Sequence, residues 1–133
     1  MDMQKILTEA AAKVGPSGQE MQVAEYFAEQ FRPLVDEVTV DNLFNVIAHK
    51  KGTGPRVALF AHMDEISLMV TAIEDDGSLR FGNVGGVDPR ILPASRVWVH
   101  GKERLFGTIG AMPPHLMGAE DRSKNYDRKD LYV

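Results

Sequence analysis

Cysteine is absent from all 133 residues. That single absence removes disulfide scaffolds, thiolate zinc sites and thiol nucleophiles together, and it agrees with a reducing cytoplasm. Any metal must then be held by histidine and carboxylate side chains. Surplus positive charge is missing as well: 15 Lys and Arg stand against 19 Asp and Glu, a formal net charge of -4. Phosphate binding needs a basic face and none is visible, so nucleic acid is not an expected partner. No apolar run comes near the roughly 18 residues a membrane span requires. The N-terminal MDMQKILTEAAAKVG carries charges where a signal peptide needs an apolar core. The expectation is a cytoplasmic protein with no membrane partner.

What is present is the composition of a globular protein, 44% hydrophobic and 26% charged, in a length that suits one domain with room for a small second lobe. Ile6, Leu7, Ala10, Ala11 and Val14 recur at helical spacing, and GPSG (residues 15–18) stops that helix. Ser17 and Glu20 stand at the spacing of a capping box, which predicts a second helix running to about Phe31, with Val23, Ala24, Phe27, Ala28 and Phe31 buried.

After Pro33 the pattern turns to short β-type runs: EVTV (37–40), NVIA (45–48) and RVALFA (56–61). The Gly-rich KKGTGP between the last two predicts a hairpin. VALFA does not alternate, as expected of a central strand covered on both faces of a helix-flanked sheet. Beyond Asp64 come ISLMVTAI (66–73), LRF (79–81), SRVWVHG (95–101) and RLFGTIG (104–110), a spacing that reads as a small β-barrel or sandwich. The fold class read from these elements is α/β: a helix-flanked sheet over residues 1–65, then a β-rich domain over 66–133. The charged stretch 118–130 reads as an exposed mobile loop, and LYV (131–133) as the start of a further strand.

Chemistry concentrates in RVALFAHMDEISLMV (56–70), an apolar run ending on His62, Asp64 and Glu65. Ligand sites in open α/β sheets collect at the carboxyl ends of central strands. Residues two apart on an extended backbone point to the same side, so His62 and Asp64 can act together. One imidazole nitrogen can bind a metal while a carboxylate fixes the other; alternatively both side chains stand near the metal, with Asp64 as bridge or orienter. A lone histidine near a strand end is more often a satisfied structural residue, and His49, His100 and His115 read that way. GTGP and GNVGG lack the Lys-Ser/Thr of a phosphate loop and read as turns.

Five segments then carry a resemblance in a fixed order: GPSGQE (15–20), DNLFNVIA (41–48), AHMDEISLMV (61–70), GGVDPRILP (85–93) and GTIGAMPPHL (107–116). Together they resemble the dinuclear metalloaminopeptidases that build tetrahedral (TET) assemblies, a family that includes deblocking and glutamyl aminopeptidases and proteins once labelled endoglucanases. The H-x-D core is shared with related zinc exopeptidases, whereas Glu65 and PPHL favour the TET group. The resemblance implies removal of N-terminal residues from peptide substrates, two divalent metal ions, zinc or cobalt, in the complete enzyme, and homo-oligomers formed through an inserted β-rich dimerisation domain. It implies His62 as a ligand of one metal and Asp64 as the catalytic carboxylate that orients the site. Ser67 departs from the family glycine after DEI, and Pro93 and Ala94 depart after DPRIL.

In that family the bridging aspartate, the general-base glutamate and the remaining ligands lie downstream of the point matching KDLYV. The resemblance therefore implies an incomplete zinc-exopeptidase-like domain in a truncated chain, weak or single-site metal binding, and no turnover by these residues alone. No substrate-binding residue is assigned. The rival reading is a non-catalytic assembly or regulatory module that uses the dimerisation surface. A ligand-binding barrel is a third reading, supported only by the β pattern.

Overall fold

The computed structural model describes residues 2–118 and 126–133. The chain divides into two compact units, Met1–Ile66 and Ser67–Val133.

In the first unit, α1 (Met3–Ala11) begins at Asp2, whose carboxylate accepts the Lys5 backbone N–H at 3.1 Å, so an orphan donor of the first turn is satisfied. Helix α2 (Met21–Phe31) buries Val23, Ala24, Tyr26 and Ala28, whereas Phe27 is half-buried and Phe31, expected in the buried stripe, is exposed at the helix end. The Tyr26 hydroxyl lies 3.1 Å from Glu9 Oε2 and 3.3 Å from the Ile6 carbonyl, which ties α2 to α1. Strands β1 (Glu37–Val40) and β2 (Val46–His49) form an antiparallel hairpin against α2. Asp41 governs its turn: the carboxylate accepts from the backbone N–H of Leu43 (2.8 Å) and Asn45 (2.9 Å) and from Asn45 Nδ2 (2.8 Å). Phe44 sits there at φ 64°, a left-handed conformation uncommon for a bulky residue.

Residues 56–61 depart from the expected central strand. They join no ladder, and Val57, Leu59 and Phe60 are 82%, 94% and 93% exposed. An apolar run becomes a strand only where neighbouring chains supply partners for its N–H and C=O groups. Here β2 spends its pairing on β1, in a two-stranded sheet, so the hairpin expected across KKGTGP is replaced by the one across residues 41–45.

The second unit holds three antiparallel pairs: β3 (Ser67–Ile73) with β4 (Leu79–Val84), β5 (Arg96–His100) with β6 (Arg104–Thr108), and β7 (Gly110–Ala111) with β8 (Leu131–Tyr132). Phe81, Leu92, Ile109 and Leu131 are buried together as its core. Leu79 and Val133 exchange two backbone hydrogen bonds, 2.8 and 3.0 Å. On the β5–β6 hairpin Trp98 faces Phe106 edge-on with ring centres 5.5 Å apart, and the Arg104 guanidinium lies 4.1 Å from the Trp98 ring centre.

Among the described residues the sheets remain separate pairs and no barrel closes, which corrects the barrel expectation. Closure requires a continuous ladder around every strand, and here the ladders join the strands only two by two. Of the stretch 118–130 read as a mobile loop, residues 119–125 lie outside the described residues, while Arg128–Asp130 form a short 3-10 turn. No helix among those described is long and apolar enough to cross a membrane.

Candidate metal centre

The residues around His62 are placed by a loop far away in sequence. Between α1 and α2 the chain turns at residues 15–18, and this loop is stitched to residues 64–65 by three hydrogen bonds. Glu65 N–H donates to the Gly15 carbonyl at 2.9 Å, and Gly15 N–H donates to Glu65 Oε1 at 3.1 Å. Pro16 and Glu65 form a parallel bridge beside them. The third bond runs from the Ser17 hydroxyl to Asp64 Oδ2.

This corrects the capping-box expectation. Glu20 occupies the N-cap of α2 with no side-chain cap, its Oε1 accepts the Gly18 N–H at 2.8 Å, and the Ser17 hydroxyl is committed to Asp64. The Ser17/Glu20 spacing matched the motif, but the partner 47 positions away captured the hydroxyl.

Asp64 uses its other oxygen on the histidine: His62 Nδ1 lies 3.0 Å from Oδ1 and 3.2 Å from the Asp64 carbonyl. Hydrogen bonds from Ser17, then from His62, hold the Asp64 carboxyl below the usual range, so it is ionised at neutral pH. An ionised carboxylate only accepts, so Nδ1 carries the proton. In the neutral ring that leaves Nε2 with its lone pair, on a side chain that is 85% exposed. Beside it a shallow cavity of about 140 Å³ is lined by Leu43, Phe44, Met63, His62, Asp64 and Glu20, among others.

The donor set fits one ligand position of a metal site together with its orienting carboxylate. Both Asp64 oxygens are engaged, Oδ2 by Ser17 and Oδ1 by His62, the arrangement in which a carboxylate can orient a histidine ring. Glu65 and Glu20 each accept a backbone N–H. A catalytic zinc takes three protein ligands, and no group of three metal-competent side chains occurs among the described residues. The other histidines do not gather here: His49 lies in β2 opposite Glu37, His100 ends β5 opposite Arg104, and His115 is exposed in a short 3-10 turn. The second unit has a wider open depression of about 1000 Å³, in which Arg80 pairs with Glu74 at 2.8 Å and Lys129 with Asp127 at 3.4 Å.

The sequence pattern missed Ser17 and Phe44 as parts of this site. The signal for Ser17 was the Gly15–Gly18 turn itself, since a glycine-flanked serine after a helix stop is free to serve a remote segment. Nothing in the spacing of DNLFN pointed to His62.

The structure resembles solved aminopeptidases. A TET aminopeptidase from the marine sediment archaeon Thaumarchaeota archaeon SCGC AB-539-E09 superposes with TM-score 0.90 at 30% identity, covering 97% of this chain and 36% of that one. The Pyrococcus horikoshii TET1 peptidase, which assembles into a tetrahedron or a large octahedral shell, matches with TM-score 0.82 at 36% identity over 98% of this chain and 39% of that one. The lysyl aminopeptidase of Pyrococcus furiosus is 39% identical over 122 residues, 90% of this chain and 35% of that protein. These define a class of peptidases that act as aminopeptidases. Residues 45–133 match the M42 glutamyl aminopeptidase family, and the chain belongs to it. It spans about a third of the length of the curated relatives it matches.

Proposed function

We propose that this chain contributes to a metal-dependent aminopeptidase that removes N-terminal residues from peptides. His62 Nε2 ligates one of two divalent ions, zinc or cobalt, and Asp64 fixes the ring. The observation that carries this reading is the committed Nδ1–H of His62, which leaves Nε2 open beside a cavity in a chain of the M42 family. A bound divalent ion supplies Lewis acidity to the peptide carbonyl and to the attacking water. The residues described here hold the ligand ring at a fixed tautomer and wall the cavity with Leu43, Phe44 and Met63.

Hydrolysis needs further ligands, so these residues bind metal at one position and do not turn over peptide alone. The second unit is the proposed self-association surface: Met69, Ile73, Trp98, Leu105 and Phe106 are exposed apolar side chains on its strands, and the TET1 relative is an assembly. If metal binding fails, self-association without catalysis remains as the second reading.

The test is zinc titration of the 133-residue chain, followed at the ring nitrogens of 15N-labelled histidine, with an aminoacyl-anilide assay in zinc and in cobalt. Shifts confined to His62 and lost in His62→Ala support the proposal. Turnover that survives His62→Ala overturns it.

A further inference from the structure

We infer that Ser17 is a positioning residue for the metal ligand: through Asp64 it sets which nitrogen His62 presents. The inference rests on the proposed ligand role of His62. A carboxylate two residues from a histidine can turn about its χ angles, so the Asp64 side chain alone does not fix the ring, and the Asp64 carbonyl, 3.2 Å from Nδ1, is the longer of its two contacts. The Ser17 hydroxyl removes that freedom by occupying Oδ2, which leaves Oδ1 directed at His62 Nδ1.

Ser17 is itself held in place. Gly15 and Glu65 exchange two hydrogen bonds, one backbone to backbone and one to the Glu65 carboxylate, so the loop cannot slide along the 64–65 segment without breaking both. Gly18, at φ 86°, turns the chain away immediately after the serine. The order of action is loop, hydroxyl, carboxylate, imidazole, with one side-chain hydrogen bond from hydroxyl to carboxylate and one between carboxylate and imidazole. Ser17 is exposed and spends its hydroxyl on no cap of α2, so the bond to Asp64 is the use the structure gives it.

A histidine whose Nδ1–H is not held favours the Nε2–H tautomer, which turns a donor proton toward the metal position and blocks ligation. Substitution of groups that orient a ligand lowers metal affinity about 10–100-fold.

The experiment compares wild type, Ser17→Ala and Ser17→Thr at pH 8, where an ordinary imidazole is neutral. The His62 tautomer is read by long-range 1H–15N correlation in metal-free protein, and zinc affinity is then read at the same nitrogens. In wild type and Ser17→Thr, Nδ1–H dominates. In Ser17→Ala the tautomers mix and zinc affinity falls about 10-fold or more, while the rest of the amide spectrum is unchanged. A Ser17→Ala protein with the wild-type tautomer and affinity overturns the inference and leaves His62 as a ligand. A His62→Ala protein that binds zinc as tightly as wild type overturns the ligand reading, and the inference with it.

Discussion

Gly15 packs so closely on Val23 that a Cβ placed on the glycine would lie 2.4 Å from Val23 Cγ2. Valine is stiff about χ1 and Val23 is buried in α2, so the methyl group of Gly15→Ala has nowhere to push. The substitution is expected to destabilise the first unit by about 1–3 kcal/mol. Urea unfolding reads the loss. In the double variant with Val23→Ala the two costs are expected to be less than additive, because the clash is gone, and strict additivity would refute the packing explanation.

Ala94 lies at φ 64°, in the left-handed region, with its N–H bonded to the Ile109 carbonyl at 2.8 Å. A side chain there costs about 1–2 kcal/mol, and glycine gives back part of the relief as chain entropy. Ala94→Gly is expected to raise the urea midpoint slightly, by about 0.5 kcal/mol of stability. A lower midpoint would mean that the turn carries no strain.

Among the described residues, Asp88 has the largest lowering of a carboxyl pKa, and its partner is Arg90. The carboxylate accepts from Arg90 Nη2 at 2.6 Å and from its backbone N–H at 2.9 Å, and the guanidinium, then the backbone bond, brings its pKa down to about 2. The folded value lies below the unfolded one, so the contribution is complete above about pH 4 and is lost as pH falls toward about 2. Asp88→Asn is therefore expected to be less stable than wild type at neutral pH, with the gap closing over that acid range. Unfolding midpoints measured at several pH values check it, and a gap that widens toward acid contradicts it.

Arg104 stacks on Trp98, which also meets Phe106 across the hairpin. The site is half exposed, so a double-mutant cycle of Arg104→Ala with Trp98→Ala is expected to return a coupling of about 0.5–1 kcal/mol. A coupling near zero would assign the geometry to simple crowding.

The local elements were legible in the sequence. Apolar periodicity located α1 and α2, and the β-type runs at 37–40, 66–73, 79–81 and 95–101 fall on observed strands within a residue or a few. Two of the misses are cases where a partner decides. VALFA has the composition of a buried strand, yet strand formation depends on neighbours that the residues themselves do not encode. Ser17 had a good local explanation three residues away and was claimed by Asp64 instead. His62 and Asp64 were legible because their relation is local: two residues apart, they need only each other to meet.

The hydrogen bonds between Leu79 and Val133 have a consequence for the order of assembly. Hairpins β3–β4 and β5–β6 can form from local contacts as soon as their residues leave the ribosome, but Leu131 is the side chain that closes on Phe81, Leu92 and Ile109. Long-range closure comes late, after its loop entropy has been met. The hairpins can therefore form first, and the core of the second unit is complete only when Leu131 closes on it.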